Sequence, residues 1–164
     1  MSHTSSARDA NLLGATALAV ADRLAAAPRD AAVLALDDWL AGASVEVLAR
    51  VVALTHSGTV RLADRLESER LLERRPGADA RSVAVYLTVA GHAEAGRLRA
   101  AREATLHELL APVGAGREPF VAGLEAVLSA LTAAGAAPRR TCRLCDAHAC
   151  GHPDRCPVTL AARH

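Results

Sequence analysis

All four cysteines of the 164-residue chain fall between Cys142 and Cys156, in the order Cys-x2-Cys-x4-Cys-x5-Cys. A thiolate is a strong ligand for a soft cation, and a two-residue gap sets two of them on one turn whose backbone amides face the sulfur charge. Two more nearby complete a tetrahedral Zn2+ site of the closed, structural kind, so Cys142, Cys145, Cys150 and Cys156 are the expected ligands. His148 and His152 are alternative ligands if one cysteine is free. An iron–sulfur cluster takes the same four thiolates, and a thiol–disulfide switch is a third chemistry. The spacing does not separate the three. Residues 138–164 hold five Arg, two acids and little apolar material, so a bound metal would supply their ordering free energy.

The rest of the chain must position this tail. Hydrophobic residues make up 51% of the sequence and charged residues 23%, a globular rather than a disordered balance. Trp39, Tyr86 and Phe120 are the only aromatic residues, so the core must be built from Ala, Leu and Val, and the expected class is mainly α. All 19 basic residues are Arg, and the net charge of +1 does not describe a protein that coats a polyanion. Residues 1–9 are expected to form a flexible N-terminal arm. Apolar spacing predicts helices over 10–27, 30–40, 44–53 and 56–68. Leu71 to Arg75 and Ser82 to Leu87 read as strands around the turn cluster Pro76-Gly77-Ala78-Asp79. Thr88 caps a helix over 89–110, and Pro112, Gly114 and Gly116 interrupt it before a last helix over 118–134. A helix, a short turn, a second helix and a β-hairpin in this order make a winged helix-turn-helix over 28–88. The helices at 10–27 and 89–137 are too apolar to stand alone on so small a module. They are expected to form a helical dimerisation region.

The stretch from Val47 to Gly91 resembles the MarR family of winged-helix transcription regulators. It carries a leucine–alanine helix, a recognition helix opened by Ser and Thr, and Arg61-Leu-Ala-Asp-Arg-Leu-Glu67. A leucine-rich strand with Glu73-Arg74-Arg75, the wing Asp79-Ala-Arg81 and Leu87-Thr-Val-Ala-Gly91 follow. The flanking helices extend the resemblance to about residues 10–137. Glu69-Arg70 stands where that family often has Gly, and the cysteine tail lies beyond the family core. The resemblance implies a homodimer bound to a pseudo-palindromic operator in double-stranded DNA, acting as a repressor. It also implies relief by a small-molecule effector, a metal or an oxidant, and a cytoplasmic, nucleoid-associated protein.

Under that reading the start of the second helix, His56, Ser57, Gly58 and Thr59, faces base edges in the major groove. Arg61 can bind guanine O6 and N7 in a bidentate contact, for about 1–3 kcal/mol of discrimination. Thr55 and Arg65 suit phosphates, and the helix N-terminus itself favours an anion. Arg81 resembles the wing residue that enters the minor groove, with Asp79 holding its guanidinium in pose. Arg74 and Arg75 flank the wing base, where one of them can reach phosphate. Arg61 and Arg65 can equally pair with Asp64, Glu67 or Glu69 on an ordinary solvated face. Seven Arg against six acids over 44–88 lend no support from bulk charge. The DNA reading therefore rests on the order of the elements.

Other functions fit less well. There is no glycine-rich phosphate loop, no nucleophile elbow and no pair of carboxylates in a plausible pocket, so an enzyme is not expected. The polar N-terminus lacks the layout of a secretion signal, and no apolar run is long enough to cross a membrane. The alternative is a winged-helix protein-interaction module, stabilised by a structural zinc and not reading DNA. His92 and His107, like Trp39 and Tyr86, are expected in packing or on the surface rather than in an effector pocket.

Overall fold

The computed structural model describes residues 2–24, 27–77 and 82–163, with side chains described from residue 7. The chain opens on α1 (Ser2–Leu24), a long helix that leaves Leu12, Leu13 and Leu18 exposed. Residues 2–9, expected as an irregular arm, are helical. No Gly or Pro interrupts them, and extending a formed helix costs far less than nucleating one.

Pro28 starts α2 (Pro28–Asp38) at a position where its missing N–H has no helical partner to lose. Ala31 to Leu36 are all buried, so α2 is the central post of the domain. The two-residue strand β1 (Ala43–Ser44) leads into α3 (Val45–Val52), whose first turn is capped by the Ser44 hydroxyl accepting from Val47 N–H. Ala53, in the left-handed region at φ 56°, closes α3. The second helix of the pair is α4 (His56–Ser68).

Beyond it, β2 (Leu72–Pro76) and β3 (Val83–Leu87) form an antiparallel hairpin in the register Leu72 to Leu87 and Arg74 to Val85. β1 adds to the far edge of β3, giving the strand order β1-β3-β2. A two-residue strand carries too little alternation to be read from sequence. Val33, Leu36, Leu48, Val51, Leu66, Leu72 and Val85 are fully enclosed, so one core ties α2, α3, α4 and the sheet together.

α5 (Val89–Leu110) then runs along α2. Its cap is Thr88, whose hydroxyl accepts from Gly91 N–H at 3.1 Å and donates to the Arg70 carbonyl at 2.6 Å. Gly91 is required here: a Cβ would stand 2.1 Å from the Leu71 carbonyl oxygen. A 3-10 turn (Ala111–Gly116) kinks at Gly114 and leads into α6 (Arg117–Ala133), which leaves Phe120, Val121, Leu124, Val127 and Leu131 exposed. The tail adds two short helices, α7 (Pro138–Thr141) and α8 (Pro157–Ala161); α8 packs on α6.

Candidate nucleic-acid interface

The winged module presents the first turns of α4 outward. Thr55 is its N-cap: the side-chain oxygen accepts from Gly58 N–H at 3.1 Å and lies 3.3 Å from the Ser57 hydroxyl. Thr55, His56 and Ser57 are exposed, and Gly58 keeps the turn slim beside them. Arg61 projects from the next turn, exposed, with Nε 3.4 Å from the Ser57 carbonyl oxygen. Arg65, one turn further on, is also exposed and donates to Glu69 at 2.9 Å.

Thr59 does not share this face. Its side chain is fully enclosed and its hydroxyl donates to the Thr55 carbonyl at 3.0 Å, so the expected base contact from Thr59 is corrected to a packing role. A threonine bonded back one turn behaves as a small core residue.

The two arginines at the wing base are also engaged within the chain. Arg74 turns from β2 back onto α4, donating to Glu67 at 2.5 Å and Asp64 at 2.6 Å. Of the two arginines, one of which is expected to reach phosphate, Arg74 is thus the one held against α4. Arg75 pairs with Glu73 and lies over the Tyr86 ring, 4.6 Å from its centroid, with more than half of its side chain exposed. Asp79 and Arg81, expected at the wing tip, lie outside the described residues.

Sequence reasoning missed the anchor behind α4. Arg29 on α2 donates to Glu69 at 2.9 and 3.1 Å and to Glu94 of α5 at 3.0 Å, so one guanidinium joins α2, the end of α4 and α5. Burial works against the Arg29 charge, and its bonds to Glu94, Glu69 and Asp30 outweigh that and raise its pKa. Arg97 and then Arg29 hold the Glu94 carboxyl down at about 2, against the cost of desolvation. Arg65 and Arg29 likewise hold Glu69 below the usual carboxylate range. The departure at Arg70 also has a structural cost: Arg70 sits at φ 59°, the left-handed position that favours glycine, where it closes α4.

The tail is docked on this body rather than loose. The Asp38 carboxylate accepts from Ala147 N–H at 2.8 Å, and Arg99 of α5 reaches both Asp37 at 2.8 Å and Asp146 at 3.5 Å. Burial opposes the Asp37 charge, but His92, at 2.6 Å, and Arg99 hold its carboxyl below the usual range. A cleft of about 320 Å³ opens between tail and α2, and Cys142, Cys145, Cys150, Cys156, Asp38 and Trp39 all line it. All four cysteines are free thiols. Among the described residues, no three His, Cys, Asp or Glu side chains stand as a group that could hold a metal ion. The hydrogen bond from Cys142 lowers Cys145 to about 7, against burial and with help from the Arg102 charge. The same bond pushes the Cys142 thiol up. Burial raises Cys150 to about 11. Burial also opposes ionisation of Cys156, but hydrogen bonds from the Thr159 side chain and backbone and from Val158 N–H bring it down. His152 faces the cleft but is held by the Thr159 hydroxyl at 2.8 Å, and His148 is exposed.

No protein-family model and no curated protein matches the sequence. Solved structures match the fold. A MarR family protein from Bacillus stearothermophilus aligns with a TM-score of 0.62 at 22% identity, over 80% of this chain and 95% of that one. The YusO protein of Bacillus subtilis gives 0.59 at 22% identity, over 79% and 98%. A MarR family transcriptional regulator from Silicibacter pomeroyi gives 0.55 at 23% identity, over 73% and 92%. No helix among the described residues is long and apolar enough to cross a membrane. With its helix pair, hairpin and flanking long helices in this order, the chain has the winged helix-turn-helix fold of the MarR family transcriptional regulators.

Proposed function

We propose that the chain is a sequence-specific DNA-binding transcriptional regulator that acts as a homodimer. The observation that carries this reading is the outward face of α4: an N-terminal turn of exposed Thr55, His56 and Ser57, with Arg61 beside it. An α-helix end of this composition fits the major groove, where hydroxyls and a guanidinium meet base edges and the helix N-terminus faces phosphate. The acids of this helix and its C-terminal end are paired within the chain: Arg74 pairs with Asp64 and Glu67, and Arg29 with Glu69. Arg65, and Arg81 from the wing, complete the proposed contacts with Arg75 at the wing base.

Dimerisation is supported by the apolar side chains that a single copy leaves in water, Leu12, Leu13 and Leu18 on α1 and Phe120, Leu124 and Leu131 on α6. Covering such side chains is worth roughly 25 cal/mol per Å² of apolar surface, and a second copy presents the same set. Two copies would then set two α4 helices on one side of a duplex, matching a pseudo-palindromic site. A dimer so placed excludes other proteins from that DNA, which is the action of a repressor, and an effector or a change in the tail that moves the two α4 helices apart would relieve it.

The test is a gel-shift and anisotropy titration with duplex from the gene's own upstream region, together with light scattering for the mass in solution. The reading predicts a dimer, a salt-dependent specific complex, and loss of most affinity in Arg61→Ala. Weak binding that ignores both sequence and salt would favour the protein-interaction module instead.

A further inference from the structure

We propose that Cys142, Cys145, Cys150 and Cys156 bind one Zn2+ as a closed tetrathiolate site, and that this site clasps the C-terminal tail onto α2 and α5. Three independent features of the tail support it. All four cysteines line one cleft, although they come from a turn after α7, a loop and the start of α8. The Cys142–Cys145 segment is a tight turn closed by Cys145 N–H donating to the Cys142 carbonyl at 2.9 Å. Cations also stand nearby. Four thiolates around a dication leave a net charge of −2, and Arg139 lines the cleft, while the Asp38 carboxylate on the same lining is taken up by Ala147 N–H. The Arg102 Nε is buried and has no hydrogen-bond partner.

The tail also needs such a centre. Among its described residues only Cys156 and Val158 are buried, and Leu144 reaches the main core alone. So small an apolar contribution does not order a segment of this length, whereas a structural zinc does. As the chain lies, no three of these side chains form a metal-holding group, so the thiols must move inward to reach Zn–S bonds of about 2.3 Å. The step is Zn2+ plus four thiols giving a tetrathiolate zinc dianion and four protons, with no change of oxidation state. Closed in this way, the site holds Asp146 under Arg99 and Ala147 on Asp38, so the metal is coupled to the helices that carry the winged module.

The test uses the full-length protein purified without chelator. Elemental analysis is expected to find about one zinc per chain, and titration with an organomercurial is expected to release it as four thiols react. Exchange with Co2+ is expected to give the intense thiolate-to-cobalt and visible bands of a tetrahedral four-sulfur site. The conservative variants Cys145→Ser and Cys156→Ser are expected to lose the zinc. Because loss of the tail fold alone would also lose the zinc, hydrogen exchange on the parent supplies a second readout: removing the metal should raise exchange over 142–156 and reverse when zinc is restored. Freshly purified protein free of stoichiometric metal with four reactive thiols overturns the proposal. So does protein that carries disulfides in this segment, or that shows iron and inorganic sulfide. None of these readouts depends on DNA binding, so the site and the regulatory reading fail separately.

Discussion

Arg74 on β2 donates to Asp64 on α4 at 2.6 Å, across the angle between the hairpin and that helix. With Glu67 also on that guanidinium, both acids on this flank of α4 are neutralised next to the surface proposed to meet phosphate. On the proposed DNA-binding reading, Arg74 would act through the acids it covers. Arg74→Ala is predicted to weaken duplex binding by about 1 kcal/mol, roughly fivefold, because two carboxylates are left facing the polyanion. Adding Asp64→Asn to that variant should restore most of the loss. Anisotropy titrations at two salt concentrations check it, and parental affinity in Arg74→Ala would remove this role.

Arg61 and Thr59 sit two residues apart and should behave in opposite ways. Arg61→Ala is predicted to cost about 1–3 kcal/mol of specific binding with little change in stability. Thr59→Val removes a buried hydroxyl bonded to Thr55 and should cost roughly 0.5–1.5 kcal/mol of folding stability instead, with no direct loss of a DNA contact. Parallel urea melts and DNA titrations of the two variants separate these effects.

Arg70 holds a left-handed conformation that costs an L-residue with a side chain about 1 kcal/mol. Arg70→Gly is therefore predicted to raise stability by up to about 1 kcal/mol, since the Arg70 carbonyl keeps its bond from Thr88. Gly91→Ala should do the reverse, by about 1–3 kcal/mol or more, as its methyl group collides with the Leu71 carbonyl. Denaturant midpoints at constant slope report both.

The Arg29 anchor predicts a pH dependence. Glu94 and Glu69 have folded pKa values below their unfolded ones, so the unfolded chain binds more protons in acid. Their contribution is fully present above the unfolded glutamate pKa of about 4.3 and is lost as pH falls toward the folded value of about 2 for Glu94. Stability should drop between these limits, and Glu94→Gln should flatten that part of the profile. Thermal melts from neutral to acid pH give the comparison.

Local pattern carries a long way in this chain. α4 and α5 span His56–Ser68 and Val89–Leu110, where apolar spacing and the capping residue Thr88 put them, and Ser44 caps α3 as its residue type suggests. These signals act within one turn of helix, so they are written in adjacent residues. The misses are of another kind. Arg29, Glu69 and Glu94 come from three separate elements and have no shared period. Thr59 is polar by type but buried by its position on α4, and β1 is two residues long. The docking of the tail through Asp38 and Arg99 depends on contacts more than forty residues apart in sequence, which no local spacing encodes.

The most direct test is to select genomic duplexes with the purified full-length protein and titrate the recovered sequence against a scrambled duplex of equal length. The account predicts two chains per duplex and a preference of about 10³ or more for the selected sequence at physiological salt, reduced strongly by Arg61→Ala. Failure to enrich any sequence, or equal affinity for selected and scrambled DNA by a chain that stays monomeric, would contradict it.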